Sequence, residues 1–278
     1  MVFITSQSLN AEILRQQNLA RDIANEQIKI STGKKINQPA DNPQDWVQIS
    51  QIGRQQSIND AWGSNVTFAK SRAGAAASNL EDISNLMSQV TELLVQSSST
   101  SASSPGREAV AQSIEGIKRS IHDLLYQTDY QGSPIFDDTH TVNIPVGAGL
   151  AVDAVATRQS LTDNVVGTKS LEDVLQDAIN AVRNSDEAGL KQALTDNRAA
   201  LDHVIVQRSV QGVREQRIDD IGQRIENKKL SLTERRSGLE DTDVGEVITK
   251  LQSKLTTLEA SQAAFARIGK QSLFDLLR

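Results

Sequence analysis

The side chains that could take part in catalysis or bind a metal are few and scattered in this chain of 278 residues. Its three histidines are His122, His140 and His203. His140 follows Asp137 and Asp138 closely enough for a metal site, but the same acidic segment suits a solvated loop better. The chain has no cysteine, which removes disulfides, thiolate nucleophiles and cysteine-based metal sites.

Other short patterns also have simpler explanations than catalysis. Asp241 and Asp243 could form a general acid–base pair, but Asp243 followed by Glu246 has the spacing of a helix-capping pair. The segment 147–149, Gly-Ala-Gly, lacks the third glycine and the following helix of a dinucleotide site, so a turn explains it. The sequence contains no zinc-protease, P-loop or nucleophile-elbow pattern. We therefore predict a protein without enzyme activity, bound cofactor or metal.

Composition and charge favour a helical protein that binds neither nucleic acid nor membrane. Aromatic residues make up only 3 % of the chain and hydrophobic residues 38 %, which suits the thin core between a few packed helices. The net charge of −6 and the lack of a basic cluster argue against a nucleic-acid partner. No segment reaches the roughly 18 consecutive apolar residues of a membrane span. Residues 1–10 lack the pattern of a cleavable signal peptide, so we expect the cytoplasm or export by another route.

The longest regular pattern is a heptad repeat between Trp62 and Leu94. An apolar or small residue stands at alternating steps of four and three positions, and polar residues fill most places between. This repeat predicts a long helix that packs through one narrow face against partner helices of similar length. The seam consists of Trp62, Val66, Ala69, Ala73, Ala76, Leu80, Ile83, Met87, Val90 and Leu94.

The N-terminal segment 9–30 has a weaker heptad seam, which two glutamines interrupt. Polar seam positions make a coiled coil depend on its partners, so this helix either frays on its own domain or becomes ordered when neighbouring subunits cover it. Glycine and prolines in 31–43 end the helix. Asn42 then caps a new helix that starts at Pro43.

A second long helical arm follows later in the chain. After a loop at 97–106, residues 110–124 are predicted to form the antiparallel return helix of the first arm. Residues 187–236 form the second arm, whose apolar seam changes phase between Val204 and Ile218. Such a phase change resembles a stutter, which alters supercoiling without ending the helix. A last helix runs through 244–265.

The region between the two arms has a different composition. Apolar and polar residues alternate on both sides of segment 147–149, which predicts a β-hairpin. Ser170 is then expected to cap a short helix that stops at 184–186. The alternating residues are Val142, Ile144 and Val146, then Leu150, Val152 and Ala154.

Together these patterns predict a mainly α protein. Both ends of the chain would form a long antiparallel coiled-coil or helical-bundle rod, with a small α+β or β-hairpin insertion in the middle.

Both ends of the sequence resemble the flagellin superfamily, which includes filament flagellins and the hook-associated proteins of the hook–filament junction. Residues 31–43, STGKKINQPADNP, are similar to the family's STGK-I-N-P-DDP loop. Residues 239–243, LEDTD, are similar to its IEDAD turn, which precedes the terminal helix. The resemblance covers roughly 1–136 and 204–278. It implies that residues 1–42 and 240–278 are paired terminal helices that form an inner assembly domain. Residues 43–132 and 187–239 would then form the helical rod domain, and residues 133–186 the small outer insertion.

Several segments resemble the junction branch of the superfamily more than the filament branch. Pro43 is usually missing from filament flagellins. Residues 252–265, residues 272–274 and the strand region at 142–167 also look like the junction type. A filament flagellin remains the alternative, since the insertion is short and short filament flagellins exist.

The resemblance implies a structural subunit of the bacterial flagellum that is exported unfolded through the flagellar type III apparatus and ends up extracellular. Its partners would be other copies of itself, neighbouring hook, junction and filament proteins, and an export chaperone on the C-terminal helix. An alternative of another class is a soluble coiled-coil adaptor or signalling rod in the cytoplasm. The expected assembly-interface residues lie on the two terminal helices: Leu9, Ile13, Ile23, Ile30, Ile248, Leu251, Leu255, Leu258, Phe265, Leu273 and Phe274.

Overall fold

A computed structural model describes residues 6–99, 104–129 and 131–276, and within these the side chains other than those of 6–9, 99, 104 and 268–276. The described residues are mostly helical, with one small antiparallel sheet, which confirms the predicted fold class. The helices are α1 Ser6–Thr32, α2 Pro43–Ser99, α3 Ser104–Leu125, α4 Arg158–Thr162, α5 Leu171–Asn184, α6 Glu187–Glu240 and α7 Val244–Leu276, and the strands are β1 Asn143–Gly147 and β2 Leu150–Asp153.

The chain divides into two compact units. Met1–Ser57 together with Leu230–Arg278 forms one, here called the terminal unit, and Ile58–Lys229 forms the other, here called the central unit. The long helices α2 and α6 each contribute residues to both units. The division into inner, rod and outer domains stays a prediction.

The heptad seam of α2 is buried as predicted. Every seam residue from Val66 to Leu94 is buried, and Trp62 is partly buried against the same core. The core of the central unit also takes residues from α3, α5, α6 and the hairpin. The narrow apolar stripe of α2 therefore packs against all these elements.

The heptad repeat of α6 runs unbroken, so the predicted stutter is wrong. Buried residues recur at every seventh position from Leu190 to Leu232. The apolar pattern seemed to change phase because two of these positions hold amides instead of apolar side chains. The buried series is Leu190, Asn197, Val204, Gln211, Ile218, Ile225 and Leu232.

The two buried amides of α6 are held by hydrogen bonds to other parts of the central unit. Asn197 Nδ2 donates to the Met87 carbonyl at 3.1 Å. Gln211 Nε2 donates to the carbonyls of Ala73 at 3.2 Å and Ala154 at 2.9 Å. A polar heptad residue that finds its partners in only one alignment fixes the register of the packed helices. These amides therefore fix how α6 lies against α2 and beside the hairpin.

Replacing Gln211 by leucine is expected to lower the free energy of unfolding of the central unit by about 1–2 kcal/mol, because the buried Ala154 carbonyl loses this donor. Chemical denaturation followed by circular dichroism measures the change. Gln216→Leu is the matched control, since Gln216 is an exposed residue of the same helix whose amide bonds only Asp220. Equal stabilities of the two variants would show that Gln211 does not fix the register.

The connection between α2 and α3 is shorter than predicted. A loop is expected over 97–106, but α2 continues to Ser99 and α3 begins at Ser104. Ser97 is buried because it takes the next heptad position after Val90, so the helix still packs there. At the other end of the pair, Asn79 Nδ2 of α2 donates to the Leu124 carbonyl of α3 at 2.9 Å, as a return helix requires.

The insertion contains the predicted hairpin and helix. β1 and β2 pair antiparallel, and Gly149 adopts φ +71° in the turn between them, where glycine is favoured. The hydroxyl of Ser170 accepts from the Asp173 backbone while the Asp173 carboxylate accepts from the Ser170 backbone, which is a complete capping box. The α5 helix ends at Ser185, which adopts the left-handed conformation.

The acidic segment before His140 was predicted to be a solvated loop, but only one of its two aspartates is exposed. Asp138 is exposed, but Asp137 is buried and pairs with Arg72 of α2, whose Nη2 lies 2.7 Å from Asp137 Oδ1. The other carboxylate oxygen accepts from the Val142 backbone at 2.8 Å. Since both charged groups are satisfied, this pair ties the base of the hairpin to α2.

Candidate assembly interface

The terminal helices α1 and α7 pack against each other in antiparallel directions. Ser261 Oγ of α7 donates to Glu12 Oε1 of α1 at 2.5 Å. Further along, Lys254 Nζ lies 2.9 Å from Glu26 Oε1 and 3.8 Å from Asp22 Oδ2. The predicted pairing of the two ends of the chain is therefore present in the terminal unit.

The predicted interface residues lie at different depths in this helix pair. Ile23 is buried, whereas Ile13, Ile248 and Leu255 are exposed. Half-buried positions are Ile30, Leu251, Leu258 and Phe265. The side chains of Leu9, Leu273 and Phe274 lie outside those that the structure describes.

Two further apolar residues of α1 are exposed in water and were missed in the sequence. Leu14 and Ile28 are exposed, and they stand two heptads apart, so they share one face of the helix. That spacing was the signal that could have found them. Together with Val244 of α7, the exposed set is Ile13, Leu14, Ile28, Val244, Ile248 and Leu255, with exposed fractions between 37 and 57 %.

Exposed apolar residues of this kind are candidates for a contact with another molecule. Two paired helices can bury only the faces they turn to each other, so apolar residues on their other faces stay in water. Contiguous exposed apolar residues in a soluble protein indicate a protein–protein or membrane contact. In the described part of the chain no helix is long and apolar enough to span a membrane.

Glu26 is the most buried charged group at the contact between α1 and α7. Burial, the largest single influence, acts to raise the pKa of Glu26. The hydrogen bond from Lys254 and the positive charges of Lys29 and Lys254 together outweigh burial, so the pKa is lowered. The ionised carboxylate therefore stabilises the helix pair.

Acid is expected to weaken the pairing of α1 with α7 through Glu26. Because its pKa is lower in the folded than in the unfolded chain, its contribution is complete above the unfolded value of about 4.3 and is lost as the pH falls through the folded value. Glu26→Gln should lower the unfolding free energy of the terminal unit by about 1–2 kcal/mol at pH 7. The difference from the unsubstituted chain should shrink as the pH falls through the lowered pKa of Glu26, because the protonated carboxyl resembles the glutamine amide.

Thermal unfolding at a series of pH values tests this expectation. Glu259→Gln is the control, since Glu259 is an exposed residue of α7 and should change the pH profile little. A Glu26→Gln variant that is as stable as the unsubstituted chain at pH 7 would contradict the role given to this ion pair.

The loop after α1 and the turn before α7 lie against each other. Lys34 Nζ is 2.9 Å from Glu240 Oε1, and the Lys35 backbone donates to the Glu240 carbonyl at 2.6 Å. The Thr242 backbone donates to the Gly33 carbonyl at 3.0 Å. The two sequence motifs near the opposite ends of the chain therefore form one structural element of the terminal unit.

The polar side chains of these two motifs cap helices, as predicted. Asn42 Oδ1 accepts from the first turn of α2 at 3.1 and 3.2 Å, and Asp243 Oδ1 accepts from the first turn of α7 at 2.8 and 3.2 Å. The capping pair at α7 is only half formed, because the Glu246 carboxylate bonds Lys250 instead. Asp241 accepts from the Ser237 hydroxyl, so it too has a structural partner.

Each of the three histidines contacts a neighbouring group within its own part of the fold. The His122 ring stacks on Tyr126, with ring centroids 4.4 Å apart, and His203 Nε2 lies 3.1 Å from the Ser160 carbonyl. His140 bonds the neighbouring Thr139 hydroxyl at 2.8 Å. Among the residues whose positions are described, no three His, Asp or Glu side chains are grouped so that they could hold a metal ion.

Comparison with known proteins gives a consistent result over nearly the whole chain. Residues 4–141 match the family model of the bacterial flagellin N-terminal helical region, and residues 194–277 match that of the bacterial flagellin C-terminal helical region. The chain is 23 % identical over 313 residues to flagellar hook-associated protein 3 of Escherichia coli, covering 96 % of this chain and 98 % of that protein.

Solved structures share the fold. FlgL from Xanthomonas campestris superposes with a TM-score of 0.58 at 15 % identity, covering 67 % of this chain and 99 % of that one. The flagellar junction protein FlgL from Legionella pneumophila superposes with a TM-score of 0.56 at 11 % identity, covering 70 % of this chain and 100 % of that one.

Proposed function

The chain belongs to the bacterial flagellin family, and from this premise we propose that it is a structural subunit of the bacterial flagellum, assembled at the hook–filament junction. The likeness to hook-associated protein 3 of Escherichia coli supports the junction, because it extends over almost the full length of both chains. A filament flagellin is the alternative within the family.

The exposed apolar surface of α1 and α7 carries the proposal that this protein works by assembly. Six large apolar side chains between 37 and 57 % exposed are grouped on one helix pair. Burying such a side chain in a contact contributes about 1–2 kcal/mol of binding free energy. Several of them together would therefore stabilise an association between copies of the chain. The surfaces named in the sequence, from Leu9 to Phe274, would thus be completed by other copies and by neighbouring hook and filament proteins.

The same surface suggests how the subunit is handled before assembly. An exposed apolar helix such as α7 is prone to unwanted association in the cell, and an export chaperone that covers it would prevent this. The subunit would then pass unfolded through the flagellar type III apparatus and reach the extracellular flagellum. Neither an enzyme activity nor a nucleic-acid or membrane partner forms part of this function.

Fractionation of cells tests the proposed function. Flagella are sheared and purified, the cytosol is separated, and the chain is detected in both fractions with an antibody. The flagellar fraction is expected to contain the chain, and a strain without the gene should not swim. Protein found exclusively in the cytosol would instead support a soluble coiled-coil adaptor.

A further inference from the structure

A pocket of the central unit lies between the end of α3 and the start of α5. Its volume is about 230 Å³. At about 30 Å³ for each molecule of liquid water, this is room for a ligand of roughly eight to ten non-hydrogen atoms. Four apolar side chains that are buried in the core also line the pocket, namely Ile121, Leu125, Leu171 and Leu175. The pocket therefore offers an apolar floor to the body of a small molecule.

Two rings in the wall of the pocket have polar atoms without a partner. In the part of the chain that the structure describes, neither ring nitrogen of His122 and not the hydroxyl of Tyr126 is hydrogen-bonded. The two rings stack on each other, and the guanidinium of Arg158 lies over the Tyr126 ring, 4.0 Å from its centroid. These contacts hold both rings in place, while their polar atoms stay available to a ligand.

Asp163 lines the same pocket and has no positively charged partner. It follows α4 directly, is exposed, and accepts a hydrogen bond from the Thr162 hydroxyl at 2.9 Å. Among the described residues, no lysine or arginine forms an ion pair with it. An ammonium group bound in the pocket would supply the missing counter-charge.

The positive groups at the pocket are already neutralised by acidic neighbours. Lys118 Nζ lies 3.4 Å from Glu172 Oε1, and Arg158, behind the tyrosine ring, pairs with Asp138. With a neutral histidine, the lining has one positive against two negative side chains. The pocket therefore favours a cation over an anion.

The helix ends at the pocket do not reverse this preference. α3 ends there, and the C-terminal end of a helix carries partial negative charge. α5 begins there, but its capping box places the Asp173 carboxylate at the positive end of the helix. Neither helix end therefore offers an uncapped site for an anion.

We propose that this pocket binds a small primary amine with a compact apolar body, an arylalkylamine being the class that fits best. The apolar body would pack on Leu171 and Leu175, the ammonium group would pair with Asp163, and a ring nitrogen of neutral His122 would accept a second hydrogen bond. The site goes beyond the proposed function, because it lies within the central unit and needs no second copy of the chain.

Proton NMR of the purified full chain tests this site with phenethylamine as the probe. The chain has three histidines, and His122 is the one that lines the pocket. Its ring signals are assigned with the variant His122→Gln. Titration with phenethylamine is expected to shift the His122 signals to saturation and to leave those of His140 and His203 in place.

Three further probes separate charge from shape. Phenylethanol keeps the ring but has no charge, and it is expected to bind about tenfold more weakly because the charge-assisted hydrogen bond to Asp163 is lost. Phenylpropionate carries the opposite charge and should cause no shift. The amide of acetyl-lysine represents a lysine side chain of a protein partner, and it should bind more weakly than phenethylamine because it lacks the compact apolar body.

Charge-neutralising variants locate the ammonium group. Asp163→Asn keeps an acceptor for the Thr162 hydroxyl and is expected to weaken phenethylamine binding about tenfold. Glu172→Gln should weaken it less, because Glu172 already pairs with Lys118. Asp220→Asn is the matched control, since Asp220 is an exposed acid of α6 outside the pocket. Circular dichroism shows whether the variants remain folded.

Four outcomes would overturn the inference. His122 signals that stay in place at millimolar phenethylamine would show that the pocket does not bind the amine. Equal affinities for phenethylamine and phenylethanol, or equal effects of Asp163→Asn and Asp220→Asn, would refute the ion pair with Asp163. Tighter binding of the lysine amide would identify a protein side chain as the occupant. None of these results depends on whether the chain is found in flagella, so the proposed function is tested separately.

Discussion

A chain that lacks residues 255–278 is expected to be absent from assembled flagella and to leave cells unable to swim, while its central unit stays folded. The deletion removes most of α7, including Ser261, which bonds Glu12 of α1, and the exposed Leu255. The central unit spans Ile58–Lys229 and contains no residue of α7, so its core is untouched. Swimming is measured in soft agar, and incorporation is measured by immunoblots of purified flagella. Thermal unfolding of the purified chain shows whether the central unit stays folded.

Point variants separate the loss of a surface from the loss of a helix. Ile248→Ser with Leu255→Ser removes two exposed apolar side chains of α7 and is expected to reduce incorporation into flagella without lowering the thermal stability. Val95→Ser is the control, since Val95 is comparably exposed but belongs to the central unit. A strain whose only copy of the chain lacks residues 255–278, and which still swims, would contradict assembly through the terminal helices.

Replacing Arg72 by methionine is expected to lower the free energy of unfolding of the central unit by about 3–5 kcal/mol. The Asp137 carboxylate would remain buried after losing the guanidinium that lies 2.7 Å away, and the Ile135 carbonyl would lose a donor at 3.2 Å. A buried charge without its partner is one of the few single changes that destabilise a domain this much. Denaturant titration of the purified chain measures the loss.

Two variants control this measurement. Lys70→Met removes a cation two residues away, whose partner Asp219 is exposed, and no measurable change is expected. Arg72→Met combined with Asp137→Leu should recover much of the lost stability, because no charge is then left unpaired. If Arg72→Met is as stable as Lys70→Met, the ion pair does not hold the hairpin to α2.

The sequence predicted the elements whose apolar pattern is complete and misread those in which polar residues take core positions. The seam of α2 contains only apolar or small residues, so its burial could be predicted residue by residue. The seam of α6 contains Asn197 and Gln211, whose burial depends on carbonyls of distant segments. Asp137 was expected in water for the same reason, since its partner Arg72 is remote in the sequence.

The sequence located the candidate interface on the terminal helices, but it did not show which residues of these helices are exposed. The motifs at 31–43 and 239–243 indicated that the two ends of the chain meet, and the structure places them in contact. Which apolar residues of α1 and α7 remain exposed depends on how the two helices are rotated, which periodicity alone does not fix. The two-heptad spacing of Leu14 and Ile28 indicates that they share one face of α1, but it does not show that this face is exposed.

The number of copies per flagellum tests the proposed position most directly. Flagella of different lengths are purified, and the chain is quantified by mass spectrometry relative to the hook protein. A junction subunit is predicted to give a small ratio that stays constant as the filament grows, because each flagellum has one junction. A ratio that rises in proportion to filament length would identify a filament subunit and contradict the junction, and absence of the chain would contradict a flagellar role altogether.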